Sequence, residues 1–352
     1  MGPCDILGAA GNPCVAAHST VRALYGAYTG PLYQVCKGTA GMGPNSCTAG
    51  VTMDITPISA GGVANAAAQD TFCAGATCTI SIIYDQSPMK NDLHPAPTGG
   101  NNQRQSAPSD ATALKTTLNG HEVYGIVIKP ETGTTLGNGY RSGCTGCLTA
   151  TAKGTATGDA PETEYMVSSQ NGQQTGCCFD YGNAETSTDD NGNGFMEAVY
   201  FGNGDAWGTG AGGSPTNRTA GPWVMADLEN GVYAGWQNGQ NQGITTNTAL
   251  KLNFTTAVVV GDVASMNGGL GRFALYGADA TTGQLKTMYD GQRPTPGYVP
   301  MQKKGSIILG IGGDSSNTAG GEWFEGVMAT GAATVATLNA FQANIVAAGY
   351  GK

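Results

Sequence analysis

The sequence predicts an all-β protein, two antiparallel sheets packed as a sandwich with one or two short helices. Three observations carry that expectation. The 352 residues include 57 Gly, with 12% charged side chains against 40% hydrophobic ones, a turn-rich composition. Apolar runs of strand length recur along the chain, most of them bounded by Gly, Asn or Asp and without helices between them. Helical spacing is found in two places. No composition break marks a linker, so residues 1–352 are expected to form a single domain.

The first helical candidate is "HSTVRALYGAY" (18–28). Val21, Leu24, Tyr25 and Tyr28 fall at i, i+3, i+4 and i+7, Ser19 can cap the start, and Gly30-Pro31 stops it. "TISIIYD" (79–85) reads as a strand, and "TTLNGHEVYGIVI" (116–128) as a hairpin turning at Asn119-Gly120. "FMEAVYFG", "PWVMADLENGVYAGW", "ALKLNFTTAVVV", "GRFALYGADATTGQLKTMYD", "GSIILGIGG" and "GEWFEGVMA" follow as strands or hairpins. The Gly-rich stretch 208–221 reads as a surface connection. At the end, "ATVATLNAFQANIVAAGYG" sets Val335, Leu338, Phe341 and Ile345 along one helical stripe, closed by Gly349.

The net charge of −9 and the lack of any basic stripe argue against a nucleic-acid partner. No apolar run approaches the ~20 residues of a membrane span. The ten cysteines fall close together in sequence: Cys4 and Cys14, Cys36 and Cys47, Cys73 and Cys78, Cys144 and Cys147, Cys177 and Cys178. With three His, and one C-x-x-C lacking a second pair, no zinc site is expected. Local disulfides formed in an oxidising compartment fit better. The sequons at Asn217 and Asn253 agree with secretion. Met1 is followed directly by "GPCDILG" with no apolar leader, so either a secretory leader has been removed or the chain is cytosolic, and the first is the expectation.

Candidate chemistry concentrates in two segments. In "WVMADLE", strand alternation puts Trp223, Met225, Asp227 and Glu229 on one face and Val224, Ala226 and Leu228 on the other. Two carboxylates so close would split their pKa values in a concave setting, whereas on a solvated face they would be ordinary acids. In "SIILGIGGDSSN" a strand delivers Asp314 behind Gly312-Gly313, either for close approach of a ligand or as a plain turn. There is no G-x-S-x-G elbow and no H-E-x-x-H. "DDNGNG" (189–194) imitates an EF-hand start, but Tyr200 stands where a Glu is needed, so it reads as a polar turn. No cofactor is expected, and paired carboxylates, the equipment of glycoside hydrolysis, remain.

The strings "GPCDI", "PCVAAHSTVRALY", "SAGGVANAAAQDTFCAGATC", "IIYDQS", "CCFDYGNAET", "GPWVMADLEN" and "IILGIGGDSSN" together resemble the catalytic domain of glycoside hydrolase family 54, secreted α-L-arabinofuranosidases. The likeness runs in order from about residue 2 to about residue 350. It implies a two-sheet sandwich of jelly-roll or concanavalin-like type and a retaining, exo-acting double displacement. Glu229 matches the nucleophile and Asp314 the general acid/base. Trp207, Asp227, Asn230 and Gly313 match sugar-binding positions, and Cys177–Cys178 matches a vicinal disulfide in the pocket wall. Retention implies carboxyl groups about 5–5.5 Å apart. The implied partners are arabinose-bearing plant cell-wall polysaccharides, arabinoxylan or arabinan, met by a monomer. Family members commonly continue into an arabinose-binding β-trefoil domain, which is expected to be absent from a chain stopping at "AGYGK". Cys36–Cys47 and Cys144–Cys147 are expected pairings in loops that reshape the pocket rim. β-Xylosidase activity, alone or in addition, and a lectin-like sandwich without catalysis are the competing functions.

Overall fold

The computed structural model describes residues 1–38, 40–100, 104–172, 176–208, 214–215 and 221–352. The Asn217 sequon and most of the Gly-rich stretch after Gly208 lie outside the described residues, whereas Asn253 is exposed. Antiparallel pairing builds a mostly-β molecule. One sheet runs, in spatial order, Lys286–Gly291, Arg272–Asp279, Thr255–Asp262, Glu162–Ser169, Gly321–Thr330, His121–Ile128 and Leu114–Leu118, with Cys14–Ser19 also pairing on Gly321–Thr330. A second runs Val232–Tyr233, Trp223–Asp227, Glu197–Gly202, Asp180–Ala184, Ser306–Leu309, Tyr140–Ser142 and His94–Pro95. Between these two faces lie Met166, Ala257, Val259, Phe273 and Trp323 from one sheet and Tyr181, Val199, Phe201, Val224 and Ala226 from the other, all buried in one cluster, while Tyr165 points the other way and stacks on Phe341 of the C-terminal helix. This is the sandwich expected from strand spacing. A third sheet was not anticipated: Val51–Ile55, Tyr33–Lys37, Cys78–Ile83 and Ser109–Asp110.

Several local readings hold. The Asn119-Gly120 turn takes positive φ at both residues, 49° and 78°, between strands paired Leu118 to His121, as a two-residue hairpin requires. The C-terminal helix spans Val335–Ala347, with Thr334 Oγ1 accepting from Thr337 N–H; Leu338, Phe341 and Ile345 of the expected stripe are buried, whereas Val335, at the first turn, is exposed. Five disulfides join the ten cysteines in sequence order, Cys36–Cys47 and Cys144–Cys147 among them. Among the described residues, no helix is long and apolar enough to cross a membrane.

The first helical candidate is overturned. The strand Cys14–Ser19 ends there, and 20–30 follows an irregular path. Ser19 Oγ does accept from the N–H groups of Val21 and Arg22, yet the main chain is captured by distant partners instead of its own next turn. Cys4 N–H donates to Leu24 C=O, Ala23 N–H to Gly62 C=O, and Leu24 N–H to Gln86 Oε1. Val21 and Leu24 are buried as foreseen, by tertiary packing. Helices instead form at Pro3–Ala9, with Pro at its start, and at Ala66–Cys73, capped by Asn65. The central strand Glu162–Ser169 also escaped notice, because Glu162 and Glu164 break its apolar pattern. Lys303 makes their burial tolerable, lying 3.0 Å from Glu162 and 2.8 Å from Glu197.

Candidate active site

Alternation in Trp223–Asp227 sends Val224 and Ala226 into the inter-sheet core. Trp223 and Met225 face the other way, into a cluster with Cys178, Tyr200 and half-buried Trp207. Asp227 shares that outer side and lines a cavity of about 350 Å³. The strand ends at Asp227, so Glu229 is not its next outward residue as the alternation implied. It occupies the tight connection in which Leu228 N–H donates to Gly231 C=O, with φ at 87°, a left-handed value that is rare for a non-glycine residue. That turn carries the Glu229 carboxyl over the same cavity.

The opposite wall comes from the end of Ser306–Leu309. Gly312, Gly313, Asp314 and Ser316 line the cavity, and Asp314 Oδ1 accepts from Ser316 N–H at 2.9 Å. A Cβ on Gly313 would drive into the Glu185 carboxyl, so glycine is required for this close approach. Cys177 lines the cavity, and Cys178, bridged to it, is buried behind. Cys178 Sγ lies 3.1 Å from Asp227 Oδ2. Asp227 Oδ1 accepts from Glu229 N–H at 3.0 Å, which ties the two acids through the turn itself. Asn230, on the rim, can donate to Asp190 at 2.8 Å, an acid of the polar turn 189–194. The structure thus gathers Glu229, Asp314, Cys177, Trp207, Asp227, Asn230 and Gly313 around one hollow, with Cys178 beneath.

Behind this surface sits an acid cluster that the sequence reading left unassigned. Glu185 is buried close enough for its charge to bear on the Glu229 carboxyl. Burial and then the Glu185 charge push Glu229 up to about 10, against the Asn191 N–H donated to Glu229 Oε1 at 2.7 Å. Burial likewise raises Glu185, against the pull of the Arg141 charge. Asp227 is pushed up to about 8, chiefly by burial, and buried Asp180 behind it stands well above the usual carboxylate range for the same reason and because of the Asp227 charge. Among the described residues, Arg141 is the cation that faces the group. Buried Arg141 donates to the backbone carbonyls of Gly313 and Glu185 and to Ser315 Oγ at 3.3 Å, so it ties together the two segments that carry Asp314 and Glu185. Glu185 lies within the string "CCFDYGNAET", yet nothing in its local pattern sets it apart from a strand-end acid.

A family model described as "Alpha-L-arabinofuranosidase B, catalytic" matches residues 3–351. A solved "GH54 a-l-arabinofuranosidase soaked with cyclic sulfate inhibitor" superimposes with a TM-score of 0.83 at 44% identity, covering 99% of this chain and 66% of that one. The chain belongs to glycoside hydrolase family 54. Among family relatives, a probable alpha-L-arabinofuranosidase B of Aspergillus fumigatus is 51% identical over 354 residues, 99% of this chain and 62% of the relative. A Trichoderma koningii protein named "Arabinofuranosidase/B-xylosidase" is 48% identical, with 99% and 63% covered. A second family structure, an arabinofuranosidase complexed with arabinofuranosyl-alpha-1,2-xylobiose, gives a TM-score of 0.84 at 44% identity over 99% of this chain and 66% of its own. The chain therefore spans about 62% of the length of the curated relatives it matches.

Proposed function

We propose that the chain is a retaining, exo-acting α-L-arabinofuranosidase. One observation carries the reading: Glu229 and Asp314, 85 residues apart in sequence, line one cavity sized for a pentose and walled in part by a disulfide. The Glu229 carboxylate attacks the anomeric carbon as the bond to the leaving oxygen breaks, and Asp314 gives that oxygen its proton. Asp314 then takes a proton from water, which displaces Glu229 from the arabinosyl-enzyme. Glu229 must carry charge to attack. Asn191 N–H, donating to Glu229 Oε1, favours that charge against burial and the neighbouring Glu185. Asp227 and Asn230 bind sugar hydroxyls, Trp207 closes the side, and the disulfide offers a rigid apolar surface to the furanose face.

Arabinose-bearing chains of arabinoxylan or arabinan type are the proposed substrates, met by a secreted monomer. Five disulfides support the oxidising compartment. A second activity, β-xylosidase, is favoured by the printed name of the Trichoderma koningii relative. Release of nitrophenol from the arabinofuranoside and the xylopyranoside, assayed side by side, tests these readings. Cleavage of the arabinofuranoside alone supports the first, and cleavage of both the dual activity. Arabinose binding without turnover of either substrate would leave a lectin.

A further inference from the structure

Arg141 sits in the middle of the short strand Tyr140–Ser142, opposite Ile308 on one side and His94 on the other, and is 1% exposed. Among the described residues, every acceptor it reaches is neutral. Nε donates to Ser306 Oγ at 3.3 Å, one terminal nitrogen to Gly313 C=O and to Ser315 Oγ at 3.3 Å, and the other to Glu185 C=O. Among the described residues it makes no ion pair. A buried guanidinium without a carboxylate partner is costly, and an uncharged donor could tether carbonyls and hydroxyls as well. Its charge nevertheless bears on three acids, Glu185, Asp314 and Glu229. Asp180 and Asp227 belong to the same acid cluster, and His94, held below its usual value by burial, brings no second cation at neutral pH.

We propose that Arg141 is a positioning residue for the double displacement: it fixes Asp314 through the backbone and answers the one negative charge that passes between Glu229 and Asp314. This rests on the arabinofuranosidase reading and deepens it. The guanidinium fork spans the carbonyl of Gly313, directly before Asp314, and that of Glu185. Gly313 already packs so tightly on the Glu185 carboxyl that a Cβ would not fit, so the fork clamps the acid's segment from behind. The charge argument follows from the two steps. In the first, the Glu229 carboxylate becomes an uncharged ester while Asp314 gives its proton to the leaving oxygen and becomes anionic. In the second, Asp314 takes a proton from water and Glu229 leaves as the carboxylate. One unit of negative charge is present throughout and only changes place. A fixed cation facing both positions serves both halves of the reaction without moving. A tight ion pair would not: paired with Asp314 it would oppose protonation of the acid, and paired with Glu229 it would blunt the nucleophile.

The test compares wild type with Arg141→Gln, which keeps an amide donor without the charge, and Arg141→Lys, which keeps the charge without the fork. Each is assayed across pH on 4-nitrophenyl arabinofuranoside and on arabinofuranosyl-xylobiose. Arg141→Gln is expected to lose about tenfold or more in kcat on both substrates, with KM changed by less than about twofold. Both limbs of its kcat/KM profile should move to higher pH, since each carboxyl ionises less easily without the cation. Arg141→Lys should keep the limbs near their wild-type positions and lose more on the oligosaccharide, whose leaving group needs the proton that Asp314 delivers. Limbs that stay in place in Arg141→Gln, whatever its melting temperature and kcat, overturn the proposal, because a purely structural tether would not move them. Should Arg141→Gln fail to fold by circular dichroism, Arg141→Lys decides: a loss biased towards the oligosaccharide upholds the role, and equal or no losses refute it. A wild type that cleaves neither substrate overturns the arabinofuranosidase reading and this role with it. An active wild type with unaffected variants overturns this role alone.

Discussion

At Glu229 two demands conflict, since attack on an anomeric carbon needs a negative charge and the surroundings oppose one. Burial and the Glu185 carboxyl raise it, and Asn191 N–H pulls the other way. Replacing Glu185 by Gln removes the like charge and leaves an amide that can donate to Glu229, so the Glu229 carboxyl must ionise more easily. The acid limb of the kcat/KM profile on 4-nitrophenyl arabinofuranoside is therefore expected to move to lower pH in Glu185→Gln. A limb that stays in place would show that Glu185 does not govern the charge on Glu229. Glu229→Gln keeps the shape of the side chain but removes the nucleophile, with an expected loss of about a thousandfold or more in kcat and an unchanged circular-dichroism spectrum. Asp314→Asn should lose most on arabinofuranosyl-xylobiose and much less on the aryl arabinofuranoside, whose leaving group departs without a proton.

Among the elements, the strand Trp223–Asp227 shows what alternation can do: one face feeds the inter-sheet core and the other the site, and both are buried. The bridges divide by role in a similar way. Cys36–Cys47 closes a loop of sequence separation 11 and Cys177–Cys178 one of separation 1. Loop-closure entropy makes the first worth about 2–3 kcal/mol and the second almost nothing. Converting both members of each pair to Ser should thus lower the unfolding midpoint clearly for 36/47 and little for 177/178, while activity falls mainly in the latter. The segment 18–28 teaches a limit. Its helical spacing is real, but Arg22 is drawn to Glu325, 2.6 Å away and buried beside the hydroxyls of Tyr165 and Tyr350. Arg22→Met strands that carboxylate and is expected to cost about 3–5 kcal/mol in chemical denaturation.

Over the whole molecule, buried carboxyls shift mostly upward. Burial leads in raising Asp92 to about 6, Glu162 to about 7 and Asp227 to about 8, with Glu164 and Asp180 also well above their usual range. Glu197 goes the other way, to about 2, because Arg293 and Lys303 together outweigh its burial. A raised acid keeps its proton in the folded protein after the unfolded chain has released it, so stability is present below the unfolded value and lost as pH rises through the folded one. A depressed acid loses its contribution as pH falls from about 4.5 towards 2. The melting temperature is therefore expected to peak near about pH 5 and decline through pH 6–8. A melting temperature that climbs steadily to pH 8 would contradict this balance.

The sequence by itself determined the β class, the hairpin at Asn119-Gly120, the C-terminal helix and the local cysteine pairs. These depend on residues a few positions apart, whose spacing and turn chemistry can be read along the chain. The strings at 177–186, 221–230 and 307–317 also carried the candidate acids through family likeness. Tertiary structure alone decided that 18–28 is not a helix, that Glu162 and Glu164 lie in a central strand, and that Glu185 and Arg141 stand behind the site. Each of those outcomes turns on a partner far away in sequence: Glu325 for Arg22, Lys303 for Glu162, Glu229 for Glu185, and the Gly313 carbonyl for Arg141. Local pattern cannot price the burial of a charge, because that cost is set by whichever group the fold brings alongside it.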